Sequence, residues 1–233
     1  MMKLKIFLYN QYIKYKMKRI GMYDLYYRFR NHKTGDWIIG ENDAIDIYRL
    51  IKKYKPYRIL DIGTGIGASA AIARFCAPDT AKVITIEANQ NCIDIAKELI
   101  PKNWNIEILQ RDMEVFEAEG IPDRRFLSHQ NLPQEPFDFV IADNGGYVIK
   151  DNKMTGVEEY LDFVRLNLRK GALVYVDGCK YVKKIIKRFY SKNFEIEEEG
   201  KGGCYLLLRC IKPLRELEIV DKKMEILKKE GFV

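Results

Sequence analysis

Long apolar runs are missing from this chain. No stretch approaches the ~18–20 apolar residues a helix needs to cross a bilayer, so no segment reads as a membrane span. Cysteines are few and scattered: Cys76, Cys92, Cys179, Cys204 and Cys210 are odd in number, and no pair has the CxxC spacing of a zinc site. They read as core or near-core thiols of a reducing compartment. Histidine is scarcer still. Only His32 and His129 occur, both in polar stretches, so either could act as a base but a surface place is the simpler reading. The opening MMKLKIFLYNQYIKYKMKR is a poor signal peptide, because its apolar stretch is short and lysines interrupt the residues after it. The expected location is therefore cytoplasmic. Internal repeats and low-complexity tracts are also missing.

What the chain does have is enough apolar side chain, 47% of 233 residues, to build one large packed domain. Its charge is unevenly spread. Residues 1–33 carry nine Lys and Arg against one acid, Asp24, a balance of +8. The whole chain is +7, so residues 34–233 sum to −1 and the basic character belongs to the N-terminal segment.

In that segment Ile6, Tyr9, Ile13, Met17 and Ile20 recur at helical spacing, and Gly21 ends the pattern. A second short helix is expected over Tyr23–Phe29 and a third over 41–54, stopped by Pro56. Strands and helices then alternate. Strands are expected at 58–62, 82–87, 105–110, 137–142 and 172–176, with helices at 68–76, 91–100, 114–119, 157–169 and 181–190. The proline-rich stretch 120–136 reads as a surface loop. Two closing strands, 194–198 and 204–209, are joined by a glycine turn, and a charged helix follows from about Leu214. The alternation predicts an α/β chain: a Rossmann-like, doubly wound sheet, mostly parallel, with an antiparallel terminal hairpin. The expected division is a basic, aromatic helical extension over 1–40, the Rossmann-like domain over 41–213 and a C-terminal helix over 214–233.

The strongest chemical signal is RILDIGTGIGASA, residues 58–70. A strand ends on Asp61, and Gly63, Gly65 and Gly67 follow around Thr64. Glycines let the backbone turn sharply and approach a ligand closely. The next helix points its amide-rich end at that ligand, with Ser69 in its first turn. Glu87 ends the second strand twenty residues after Gly67, where an acid can accept both hydroxyls of a ribose. Asp112 and Met113 follow the third strand and suit an adenine amino group and ring face. Asp143 follows the fourth. In open α/β sheets ligands bind at the C-terminal ends of the strands, where all four signals fall. On the loop alone two ligands stay open, since Gly63, Gly65 and Ala68 also satisfy the loose dinucleotide fingerprint and Glu87 suits a nicotinamide ribose.

Across roughly residues 40–210 the chain resembles class I S-adenosylmethionine-dependent methyltransferases, and within them the small O-methyltransferases related to the catechol and caffeoyl-CoA enzymes. The resembling stretches are LDIGTGIGAS, VITIEANQNCIDIAKELI, LQRDM, FDFVIADN and EEYLDFVRLNLRKGALVYVDG. The resemblance implies S-adenosyl-L-methionine as cofactor. Gly63, Thr64, Gly65, Gly67 and Ser69 would surround its methionine part, and Asp61 would approach its amino group. Glu87 would hold the ribose, Asp112 and Met113 the adenine. Asp143 would lie beside the sulfonium as the one candidate catalytic residue. Metal-dependent members carry a Lys three residues after that Asp and an Asp-Asn pair after the fifth strand. This chain has Gly146 and Asp177-Gly178 instead, so no metal is expected. The chain also lacks the Asn-Pro-Pro-Tyr type of motif of nucleobase N-methylators.

The reading is therefore a methyltransferase acting on an oxygen, or a nitrogen, of a small molecule. An NAD(P)-binding oxidoreductase, an RNA methyltransferase and a non-catalytic cofactor-binding module are the alternatives. Asp61 directly before the loop and the terminal hairpin count against the oxidoreductase. The basic N-terminal segment reads as a lid helix, or as a contact for nucleic acid or an anionic membrane surface through residues 1–33.

Overall fold

The computed structural model describes residues 2–117, 125–143, 148–150, 153–155, 162–177, 180–201 and 204–214. The chain divides into two compact units, residues 1–112 and 113–233.

The first unit opens with helices α1 (Met2–Arg19), α2 (Tyr23–Arg30) and α3 (Glu41–Tyr54), as the apolar spacing predicts. Gly21 has a positive φ of 74° and separates the first two. Acids open α3 and lysines close it, which complements the helix dipole. Its cap Lys55 is left-handed, and Pro56 prevents continuation. Then come β1 (Arg58–Ile62), α4 (Ala68–Cys76), β2 (Lys82–Glu87), α5 (Gln90–Leu99) and β3 (Ile106–Gln110). The three strands run parallel in the order β1-β2-β3, with Asp61 opposite Thr85 and Glu87 opposite Gln110. β1 and β2 are buried on both faces, as strands covered by helices are.

One apolar cluster positions the glycine turn. Ile66, inside the turn, is buried with Leu25 and Phe29 of α2, Ala68 and Ala71 of α4, and Ala96 and Ile100 at the end of α5. Burying a side chain of that size contributes roughly 1.5–3 kcal/mol, which helps hold the loop to the body of the unit. The N-terminal helices are therefore packed into this unit: Ile13 and Met17 of α1 and Met22, Tyr26 and Phe29 around α2 are buried.

The second unit holds β4 (Met113–Glu117), β5 (Arg125–His129), β6 (Phe137–Ala142), β7 (Val148–Lys150), β8 (Lys153–Thr155), β9 (Leu168–Asp177), α6 (Lys180–Phe189), β10 (Phe194–Glu199) and β11 (Tyr205–Cys210). β6 and β9 are parallel, and β9, β11 and β10 are successively antiparallel, which is the expected closing hairpin. Gly171 has a φ of 88° where the β6–β9 register shifts, as at a bulge.

Three local expectations fail here. Residues 113–117 form a strand rather than a helix, paired antiparallel with 125–129, which were expected in a loop. Six residues are too few for a stable isolated helix, and Val115, Phe116 and Phe126 favour strands. The helix expected over 157–169 is replaced in its described part by a 3-10 turn, Asp162–Arg165, and β9 already begins at Leu168. The third concerns His129, which is no surface residue: it is 4% exposed, and its Nδ1 lies 2.6 Å from Oδ2 of the fully buried Asp162. Its backbone N–H also donates to that carboxylate. Arg165 extends the network to Ser128 and to Glu114, the latter at 2.6 Å. The helix expected beyond Leu214, and Cys179, lie outside the described residues. No described cysteine forms a disulfide, and no described helix is long and apolar enough to cross a membrane.

Removing one partner of a buried pair strands the other. His129→Ala should lower unfolding stability by roughly 3–5 kcal/mol, read from urea denaturation. A loss below about 1 kcal/mol would show that the pair lies in water rather than in the core.

Candidate functional site

The first unit gathers its predicted site residues at the C-terminal ends of β1, β2 and β3. At the end of β1 Asp61 is fully buried, an unfavourable place for a carboxylate unless its oxygens are satisfied. One oxygen, Oδ2, accepts from the hydroxyls of Thr85 at 2.7 Å and Ser69 at 2.9 Å. Thr64, also buried, shares a short hydrogen bond with Thr85. The other oxygen, Oδ1, is buried with no hydrogen-bond partner among the described residues. Burial raises the Asp61 pKa from 3.8 to about 6, against the lowering effect of the Thr85 and Ser69 hydroxyls, and Glu87 adds to the rise. Ser69 thus points its hydroxyl at Asp61 and ties the first turn of α4 to β1. Thr85 escaped the sequence reading. Its one signal is a hydroxyl between the isoleucines of KVITIE.

The glycine turn follows directly. The N–H groups of Gly63 and Thr64 both donate to the carbonyl of Ile86 at 3.1 Å, and Gly67 N–H closes onto the Thr64 carbonyl at 2.8 Å. Gly63, Gly65 and Gly67 all have positive φ (87°, 50° and 97°), a conformation costly for side-chain-bearing residues. Gly67 is also sterically constrained, since a Cβ there would lie 2.9 Å from Ile100 Cδ1 and 3.1 Å from Ala96 Cβ. A Cβ at Gly65 would meet no atom within 4 Å.

Glu87 joins this turn to the other strand ends. Its Oε2 accepts the Gly65 N–H at 2.8 Å, and its Oε1 accepts the N–H groups of Ala88 and Asn89, each at 2.9 Å. Asn89 in turn caps α5 through Asn91 N–H. The Glu87 carbonyl accepts Arg111 N–H at 2.9 Å, which brings exposed Asp112 to the same edge. The half-buried Glu87 carboxylate therefore braces the loop through backbone donors, and a carboxylate has about four acceptor positions.

Met113 and Asp143 belong to the second unit. Met113 is half-buried and starts β4; Asp143 is half-buried and directly follows β6. Positions 146 and 178, where the metal-dependent pattern fails, lie outside the described residues. His32, the other candidate base, is half-buried in the first unit, with Nδ1 2.8 Å from Thr34 Oγ1.

The site groups suit a ligand with a positive group for Asp61 Oδ1, a flat or polar part lying along glycine backbone, and hydroxyls near Glu87. No protein-family profile matches the chain, and neither does any curated protein sequence. Solved structures do match in fold. A methyltransferase from Geobacter sulfurreducens has 15% identity and a TM-score of 0.52, over 75% of this chain and 80% of that one. A methyltransferase from Podospora anserina, solved with S-adenosylhomocysteine bound, has 12% identity and a TM-score of 0.51, over 81% and 87%. At these identities the likeness is one of fold, a Rossmann-like sheet shared with these two structures.

The two glycines should separate on substitution. Gly67→Ala should cost roughly 1–3 kcal/mol of stability through strain and overpacking. Gly65→Ala should cost only about 1 kcal/mol, its φ alone being unfavourable. Equal losses in urea denaturation would contradict the packing described at Gly67.

Proposed function

We propose that this chain is an S-adenosylmethionine-dependent methyltransferase that moves a methyl group to an oxygen, or a nitrogen, of a small-molecule acceptor. The observation that carries the reading is Asp61: a fully buried carboxylate at the glycine turn with one oxygen held by two hydroxyls and the other without a hydrogen-bond partner among the described residues. An ammonium group placed there would supply the missing partner and offset the burial cost. S-adenosylmethionine carries such a group, together with a ribose for Glu87 and an adenine for Asp112 and Met113. The methyltransferase fold and the sequence resemblance point to the same ligand, as does its product in one of the similar structures.

The cofactor brings a sulfonium whose methyl group is already electrophilic. The chain's task is alignment and the exclusion of water, which can supply much of a rate enhancement. Gly63, Thr64, Gly65 and Gly67 offer backbone to the methionine part. Ser69 and Thr85 fix the Asp61 carboxylate so that its second oxygen is presented in one orientation. Glu87 gives its remaining acceptor capacity to the ribose and keeps Gly65 in place. Asp143, at the end of β6, is assigned the contact nearest the reacting centre. Where the acceptor is protonated, it is also the candidate to take the proton.

Two experiments test this. In calorimetry S-adenosylhomocysteine should bind and NAD should not. Glu87→Ala should weaken the binding by ~1–3 kcal/mol, the usual cost of leaving polar groups without a charged partner. Binding of NAD alone would replace the reading with a dehydrogenase. The second test is pH linkage. The folded Asp61 pKa of about 6 lies above its ordinary 3.8, so folding takes up a proton between those values. Stability should therefore fall as pH rises through that window, by an amount on the order of 3 kcal/mol. A bound ammonium favours the charged carboxylate and lowers its pKa again. Binding near pH 6 should then release protons, an effect fading by about pH 8 and absent in Asp61→Asn. Unchanged proton release in Asp61→Asn would place the amino group elsewhere.

A further inference from the structure

One surface of the first unit is left out of the proposed chemistry. α1 packs on the unit through Ile13 and Met17, which are 3% and 0% exposed. On its opposite side Leu8, Tyr12 and Tyr15 fall at i, i+4 and i+7, hence on one helix face. They are 57%, 52% and 60% exposed, and Phe7, about 100° round the helix from Leu8, is 57% exposed. Such a stripe of large apolar groups on one element is unusual for a surface that faces only water. Cations frame it. Arg19 continues the stripe, Lys16 lies 4.7 Å from the centre of the Tyr12 ring, and Lys18 lies 4.8 Å from that of Tyr23 on α2. The segment's net +8 makes a second copy of the chain an unfavourable occupant and an anionic one a favourable one.

We infer that the outer face of α1 docks the protein on a membrane surface bearing anionic lipid, with Leu8, Tyr12 and Tyr15 entering the headgroup boundary and Lys16, Lys18 and Arg19 meeting the phosphates. α1 carries apolar side chains on two sides, and with Ile13 and Met17 packed on the unit the outer stripe with its flanking lysines is what is left to meet the interface plane. Tyrosine suits that depth, with a polar end in the wet layer and its ring below. Lysine stems also reach outward from apolar surroundings while keeping the charge hydrated.

RNA is the less favoured occupant on chemical grounds. Leu8 offers no ring for a base to stack on. Three of the tyrosine rings here already carry ammonium groups, Lys16 over Tyr12, Lys18 over Tyr23 and Lys14 over Tyr27 at 5.5 Å. A neighbouring groove along α2, of about 470 Å³, is lined by Tyr23, Asp24, Tyr27 and Arg28 among others. There Tyr23 and Tyr27 lie against each other at 4.4 Å, and the Asp24 carboxylate would repel a phosphate.

Vesicle co-sedimentation of the full chain tests the inference. The protein should sediment with vesicles of phosphatidylcholine and phosphatidylserine and far less with phosphatidylcholine alone, and the association should fall with salt. Leu8→Ser, Tyr12→Ser and Tyr15→Ser together should lower the partition coefficient at least roughly tenfold, since binding scales with the apolar area inserted. Replacing Lys16, Lys18 and Arg19 by Gln should lower it about fivefold per cation. The melting temperature of each variant should match the parent, because Ile13 and Met17 are untouched. If the triple Ser variant melts lower, Tyr15→Ser alone should still weaken the association. Several results would overturn the inference: no sedimentation with the anionic vesicles, equal sedimentation with both kinds, or association unchanged in all these variants. Binding of an oligouridylate without binding of vesicles would overturn it in favour of nucleic acid, and a stable dimer in solution hiding Tyr15 would do so in favour of a second copy.

Discussion

A fully buried carboxylate sits at the head of the glycine turn, and much of the local structure is arranged around it. Asp61 binds two hydroxyls through one oxygen, and those hydroxyls come from different elements, Ser69 on α4 and Thr85 on β2. The same two bonds therefore pin the start of α4 and the neighbouring strand to the end of β1. Without them a buried charge would cost several kcal/mol, enough to threaten a protein of ordinary stability. The backbone amides of Gly63 and Thr64 converge on one carbonyl of β2, and Glu87 receives the amide of Gly65. Two carboxylates thus fix the turn, Asp61 from within and Glu87 from the rim.

The parts legible in the sequence are those where one period dominates. The boundaries of β1, α4, β2 and β6 follow from short apolar runs and glycine punctuation. The edge that joins Gly65, Glu87 and Asp112 follows from their common position just past parallel strands. What was not legible depends on backbone direction and long-range pairing. Nothing in residues 58–90 says that Glu87 accepts three amides, because those N–H groups are aimed by the turn and not by side-chain type. The pairing of β4 with β5 was missed because 120–136 looks like a loop by composition, although the partner strand 125–129 lies inside it. His129 was misplaced for the same reason. A histidine in a polar stretch reads as exposed until Asp162, 33 residues later, is brought against it.

The basic N-terminal segment turns out to have two distinct faces. Ile13 and Met17 make α1 part of the first unit, while Leu8, Tyr12 and Tyr15 look outward from it. A helix of this kind adds a place to the chemistry proposed at the glycine turn. One face supports the unit that carries Asp61 and Glu87, and the other can hold that unit at a surface.

The most direct measurement is a crystal structure of the chain with S-adenosylhomocysteine. The account predicts the ligand's ammonium within hydrogen-bonding distance of Asp61 Oδ1, its ribose hydroxyls on Glu87, and its methionine part along Gly63 to Gly67. A ligand bound away from the glycine turn, or one that leaves Asp61 Oδ1 without a partner, would contradict it.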